Sequence, residues 1–147
     1  MINGFDAEYA FLSNFYDCPV MYNGLKFLNT EAAFQAAKCL NEAEAREFCF
    51  LPPNQAKRRG RRITLRPDWE AVKYDIMLEI VRCKFTQNVE LQAKLLATGD
   101  EELVEGNWWH DNIWGNCSCD HCINKEGKNW LGNILMQVRD ELRKKEI

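Results

Sequence analysis

Thr30-Glu31-Ala32-Ala33-Phe34-Gln35-Ala36-Ala37-Lys38 is the stretch on which the reading of this chain turns. Asn29 or Thr30 is suited to the N-cap, and the spacing predicts a helix over 30–40. Ala33, Phe34, Ala37 and Leu40 follow the helical period and are expected to face a core, leaving Glu31, Gln35 and Lys38 on a neighbouring polar stripe. A carboxylate in the first turn of such a helix can meet a polar ligand while the ring and the small residues pack inward. Glu31 is therefore a candidate catalytic acid.

Working outward, Val20-Met21-Tyr22 and Leu25-Lys26-Phe27 flank Asn23-Gly24, the pair favoured where a tight turn needs positive φ at both central residues. Residues 1–29 otherwise read as non-helical. Downstream, a helix is expected over 42–50, stopped by Pro52-Pro53, and another starts near Pro53. Pro67-Asp68 opens the strongest amphipathic pattern, in which Trp69, Val72, Ile76, Met77, Ile80 and Val81 share a face through about Phe85. Asn88 is placed to cap the next helix, which buries Leu91, Leu95 and Leu96 and ends at Gly99. Short extended chain is expected at Leu103-Val104-Glu105. A last helix over 131–143 carries Leu131, Ile134, Leu135, Val138 and Leu142. No alternation of strand and helix supports a wound parallel sheet, so the fold class is mainly α with a small β-hairpin element, in one domain over 1–147.

The 147 residues suffice for one sizeable core. A formal charge of -3 supplies no global positive field, yet Lys57-Arg58-Arg59-Gly60-Arg61-Arg62 concentrates five cations in six residues, either as a solvated helix end or facing phosphate. No apolar run approaches membrane-spanning length and no basic, apolar leader opens the chain, so a cytoplasmic protein with no membrane partner is expected. Seven cysteines, an odd number without a secretion signal, argue for thiols over a disulfide framework.

Three further segments carry chemistry. Glu105 to Gly115 holds Trp108, Trp109 and Trp114 around Asp111. Indoles so close to Asn, His and Asp read as a pocket wall able to stack on a planar base, with Asp111 as a second carboxylate. Cys117-Ser118-Cys119-Asp120-His121-Cys122 offers three thiols and an imidazole to a soft ion, giving Cys117, Cys119, His121 and Cys122 as candidate ligands of a structural zinc. Their spacing differs from two separated ligand pairs, and His110 or a distant thiol such as Cys18 are alternatives for the fourth ligand. The opposing reading is a thiol-rich loop, with Cys39, Cys49 and Cys83 buried as small apolar residues. A Cys-His-Asp protease is disfavoured, because adjacent residues cannot align nucleophile, base and orienting acid. Finally, Asn14 and Phe15 either plug the core or touch ligand, and Asn129 stands where backbone amides at a helix start can hold a phosphate or ribose oxygen.

Taken in order, Ser13-Asn14-Phe15, Asn23-Gly24 with Lys26-Phe27, Thr30-Glu31 to Gln35-Ala36-Ala37-Lys38, Gly60-Arg61-Arg62, Leu65-Arg66-Pro67-Asp68-Trp69, Lys84-Phe85, Leu95 to Gly99, Leu103-Val104-Glu105, Trp109 to Gly115 and Asn129-Trp130-Leu131-Gly132 resemble the NADAR or YbiA-like family over nearly the whole chain. The resemblance implies a mainly helical N-glycosidase acting on nitrogen-linked ribose phosphates. Its members cleave early riboflavin-pathway intermediates, or are associated with NAD and ADP-ribose metabolism, including removal of ADP-ribose from modified guanine in DNA. By that resemblance Glu31 and Asp111 are the acids, Trp108 and Trp114 lie near base or ribose, and Lys38, Arg61 and Asn129 contact phosphate or ribose. The implied partners are a phosphorylated ribosyl nucleotide-like molecule and ADP-ribosylated DNA, and the hydrolysis requires no cofactor. The cysteine-bearing segment between Gly115 and Asn129 departs from relatives with a shorter link. The competing functions are a non-catalytic ADP-ribose or nucleotide-binding module and a cysteine-stapled interaction protein.

Overall fold

A two-residue turn sets the first element. In the computed structural model, which describes residues 1–145, Asn23 and Gly24 take φ of 55° and 81° and join strand β2 (Asp17–Tyr22) to β3 (Leu25–Asn29) in an antiparallel hairpin. Residues 146 and 147 of the expected domain lie outside the described residues. Alternation along the hairpin buries Cys18, Val20 and Phe27 and exposes Met21 and Leu28.

β3 runs straight into helix α1 (Thr30–Ala36). Asn29 is its cap, with the side-chain oxygen accepting from Ala32 N at 2.7 Å and the amide nitrogen donating to Leu51 O at 3.1 Å. The helix is shorter than the pattern predicts. Lys38 N and Cys39 N reach back only three residues, to Gln35 O and Ala36 O, and this tighter winding rotates the chain so that Leu40 is exposed rather than in the core. Arg66 N, donating to Lys38 O at 2.9 Å, serves one of the carbonyls left over at this end. Helix α2 (Glu42–Arg46), capped by Asn41, is also shorter than 42–50. α3 (Pro53–Gly60) begins at the proline, where a missing amide hydrogen costs nothing. α4 (Trp69–Gln87) buries Trp69, Met77, Ile80, Val81 and Phe85 as its apolar face predicts, adds Leu78 and Lys84, and leaves Val72 and Ile76 half-buried. Asn88 closes α4 by donating to Lys84 O at 2.7 Å, instead of capping the helix that follows. Residues 14–89 form one compact unit around these elements.

Lys84 is a fully buried cation in this unit. Its ammonium lies 5.8 Å from the Tyr16 ring centroid and 5.2 Å from that of Phe85, and complete burial pushes its pKa from 10.5 down to about 8, opposed by Cys18. Because the folded value is the lower one, the native state binds fewer protons than the unfolded chain between about 8 and 10.5, so stability rises with pH across that window. Below it, the charged form costs about 3 kcal/mol relative to an ordinary lysine. Denaturant midpoints of wild type and Lys84→Met, followed from pH 7 to 10.5, are therefore expected to differ in slope, with the variant lacking the alkaline gain. Parallel profiles would remove this charge from the stability account.

The second unit comprises residues 1–13 and those from 90 onward. Here β1 (Ile2–Asn3) pairs in parallel with β4 (Leu103–Val104), and β5 (Gly106–Asn107) pairs in parallel with β6 (Asn116–Cys117). Both pairings are absent from the sequence reading, because two-residue strands are too short to show a period. A 3-10 turn (Ala7–Leu12) buries Phe11 and Leu12. Helix α5 (Val89–Ala97) buries Leu91 and Leu95 and leads to Gly99 at φ 64°. α6 (Trp130–Lys145) buries the apolar residues expected of it, and its Arg139 donates to Thr98 Oγ1 and Glu101 O, both at 2.9 Å, which fastens it to the turn after α5. Among the described residues, no helix is long and apolar enough to cross a membrane.

Candidate functional site

α1 is buried along its whole length, Glu31 and Gln35 included. One turn apart, they pair directly, Gln35 Nε2 donating to Glu31 Oε1 at 2.8 Å. Gln35 Oε1 is buried without a hydrogen-bond partner among the described residues. α3 packs close over it: a Cβ built on Gly60 would stand 1.9 Å from that oxygen, so any larger residue there would displace the Gln35 amide. Glu31 is thus a clamped carboxylate on a helix held from two sides, its own amide donating to Asn14 O at 3.0 Å. Asn14 is buried, with its side-chain amide 3.5 Å from Met77 Sδ.

Lys38 connects this carboxylate to a group of cations. Lys38 is half-buried above Phe34 and Trp69, 5.8 and 5.7 Å from their ring centroids, and the two rings lie 5.0 Å apart. Burial pulls its pKa below the ordinary lysine value, Glu31 pushes it back up, and Arg61, Lys73 and Lys57 add to the depression. One acid and four bases therefore share a single electrostatic neighbourhood. The basic run that the sequence leaves ambiguous is sorted by the helical period of α3. Lys57 and Arg61, four apart, lie on the Lys38 side, whereas Arg58, Arg59 and Arg62 line a separate shallow groove of about 550 Å³ with Gln55 and Ile63. Phe15, 43% exposed, stands beneath Lys57 Nζ at 5.8 Å. The sequence reading places Gln35 on the polar stripe of Glu31, and Lys57 and Gly60 in the basic run, but it gives none of these, nor Lys73, a role in the site. The position of Gln35, four residues after Glu31, was the signal available for it.

The second unit holds the other predicted residues. Asp111 Oδ1 accepts from Ile113 N at 3.1 Å and Trp114 N at 2.9 Å, so one oxygen caps a turn. Asn107 grips the backbone of the same residue from both ends of its side-chain amide, donating to Asp111 O at 2.8 Å and accepting from Asp111 N at 3.1 Å. Trp108 is 73% exposed and meets Trp109 edge-on, at 5.7 Å between centroids. Trp114 packs edge-on against Trp130 at 5.4 Å. Asn129, at φ 48°, accepts from Glu105 N at 3.0 Å and donates to Leu103 O at 2.9 Å. Both ends of its side chain are thereby committed to backbone, a structural duty that sequence spacing does not show.

The thiol loop differs from expectation in one ligand. His110, Cys117, Cys119 and Cys122 bring their donor atoms within 4.8 Å of one another, with His110 Nδ1 3.3 Å from Cys119 Sγ and 3.4 Å from Cys122 Sγ. His121 is outside this set, its ring centroid 6.0 Å from that of His110, edge to face. The imidazole comes instead from a residue seven positions before Cys117, turned inward by a positive φ of 71°. Cys18 lies on β2 in the other unit, where burial raises its thiol pKa. Cys49 is buried as an apolar filler, while Cys39 and Cys83 are only partly buried.

Comparison with known proteins decides the family. The profile of the NADAR domain matches residues 3–143. The chain belongs to the NADAR domain family. Among its NADAR relatives, "N-glycosidase YbiA" of Shigella boydii is 38% identical over 138 residues, covering 92% of this chain and 82% of that protein. "Riboflavin biosynthesis protein VVA0006" of Vibrio vulnificus is 37% identical over 142 residues, which are 94% of this chain and 37% of that one. The NMR structure of Escherichia coli YbiA superimposes with a TM-score of 0.84 at 37% identity, covering 99% of this chain and 86% of that one. The mainly helical NADAR fold expected from the sequence is the observed one, and these relatives support a glycosidase-like function.

Proposed function

We propose that the chain is an N-glycosidase that hydrolyses the C–N bond between a base and a phosphorylated ribose. The observation that carries this reading is the clamped Glu31 carboxylate, which shares the neighbourhood of Lys38 with Lys57, Arg61 and Lys73. A single buried acid serves a reaction whose transition state is positive at one carbon, and the excess of cations serves a ligand that brings its own phosphate.

The bond to the base breaks with its electron pair going to the base nitrogen, and positive charge develops on the ribose carbon and ring oxygen. Glu31 stabilises that charge. Gln35 fixes the carboxylate so that none of the stabilisation is spent reorienting it. Water then adds to the same carbon, and the proton it loses is balanced by protonation of the departed base nitrogen, giving the free base and the free sugar phosphate. Lys38 and Arg61 hold the phosphate, and the Phe15 ring offers a face to the base. The family resemblance names Asp111 as a second acid; within its own unit its Oδ1 is occupied by the turn, and Trp108 and Trp114 are its aromatic neighbours in the chain.

Incubation with the ribosyl phosphate intermediate of riboflavin synthesis and, separately, with DNA carrying ADP-ribosylated guanine is expected to release ribose 5-phosphate from the first or ADP-ribose from the second. Tight calorimetric binding of either intact molecule with no product after long incubation would favour a nucleotide-binding module and overturn the enzyme reading.

A further inference from the structure

The geometry points to a structural zinc ion held by His110, Cys117, Cys119 and Cys122, which staples the loop that carries Asp111. Zinc bound tetrahedrally at about 2.3 Å from sulfur and about 2.0 Å from nitrogen sets neighbouring ligand atoms roughly 3.5 Å apart. The His110 Nδ1 distances of 3.3 and 3.4 Å to Cys119 and Cys122 have that length, and all four donors fall inside 4.8 Å. A disulfide would use two of the three thiols and leave a thiol and an imidazole gathered for no purpose. Four convergent donors of this softness are what a tetrahedral zinc uses, with no position left over for water or substrate.

The surrounding chain is built to hold this arrangement. Cys117 sits on β6, and its amide donates to Asn112 Oδ1 at 2.9 Å. Its sulfur in turn accepts from His110 N at 3.3 Å, the kind of bond that stabilises a thiolate ligand. Cys119 and Cys122 are joined by a tight turn, Cys122 N donating to Cys119 O at 3.0 Å. Cys117 and Cys122 are buried, yet the core of this unit lacks a large hydrophobic side chain between Val104 and Leu131. A metal replaces the missing apolar anchor. Since His110 is bonded to Asp111 in the chain, fixing the one restricts the other. The zinc is a positioning device and touches no reacting atom.

The protein purified without chelator is expected to contain one zinc per chain by mass spectrometry. Replacement with cobalt is expected to give the intense visible bands of a tetrahedral thiolate site, a readout that needs neither a variant nor activity. His110→Ala should lower metal affinity at least about 100-fold, because losing a ligand costs more than losing a ligand's hydrogen-bond partner, whereas His121→Ala should keep one metal per chain with the cobalt spectrum unchanged. Absence of both bound zinc and a tetrahedral cobalt spectrum would overturn the site. Loss of metal from the His121 variant, with retention in the His110 variant, would overturn its ligand set.

Discussion

Replacing Glu31 by Gln is expected to lower kcat about 10²- to 10³-fold, the usual loss when one preorganised electrostatic group is removed from a transition state. The substitution keeps the shape of the side chain, and its oxygen can still accept from Gln35 Nε2, now at 2.8 Å from the carboxylate. What disappears is the negative charge facing the sugar as the base departs. Because that charge is needed most in the transition state, ligand affinity measured by calorimetry should be retained or improved, and the thermal unfolding midpoint should not fall. Lys38, losing the acid that raises its pKa, should titrate at still lower pH in this variant. Unchanged turnover with folded protein would take Glu31 out of the mechanism and with it the proposed function of the site.

Lys38→Met should act on binding instead. Methionine keeps the contact with the Phe34 and Trp69 rings, on which the ammonium now rests at 5.8 and 5.7 Å, so packing survives while the cation is lost. A hydrogen bond to a charged group contributes about 1.5–3 kcal/mol, which corresponds to a KM for the phosphorylated substrate raised about 10- to 150-fold, with kcat changed less. The pH dependence separates a binding role from a packing one. Burial first, then the charges of Arg61, Lys73 and Lys57, hold the Lys38 pKa below 10.5. The wild-type advantage is thus full below the depressed value and is lost as pH rises through it, earlier than for an exposed lysine. KM measured against pH should climb on the alkaline side in the wild type and be flat there in the variant. An alkaline rise of equal size in both would assign the titration to another group.

Much of the site was written in short-range terms. Glu31 could be read as a first-turn acid because Asn29 caps and the alanines pack, and both follow from residue chemistry within a few positions. Asn23-Gly24, Pro53 and the α4 stripe were legible for the same reason: a turn, a helix start and an amphipathic face each depend on neighbours in the chain. The contacts that sequence did not show are those made across it. Gln35 reads as a polar surface residue until α3 covers it, and Gly60 as a helix end until its missing Cβ is seen to make room for Gln35. Asn129 looked like a ligand group and is used on backbone from 103 to 105.

The sequence by itself determined the family, the helical class and the hairpin, because these rest on local propensity and on an ordered set of motifs. Only the tertiary structure decided that Glu31 is clamped by Gln35 and shares the neighbourhood of Lys38 with Lys57, Arg61 and Lys73, and that His110 rather than His121 completes the thiol cluster. Charges and ligands act through space at a few ångströms, whatever their separation along the chain, and only folding sets those distances.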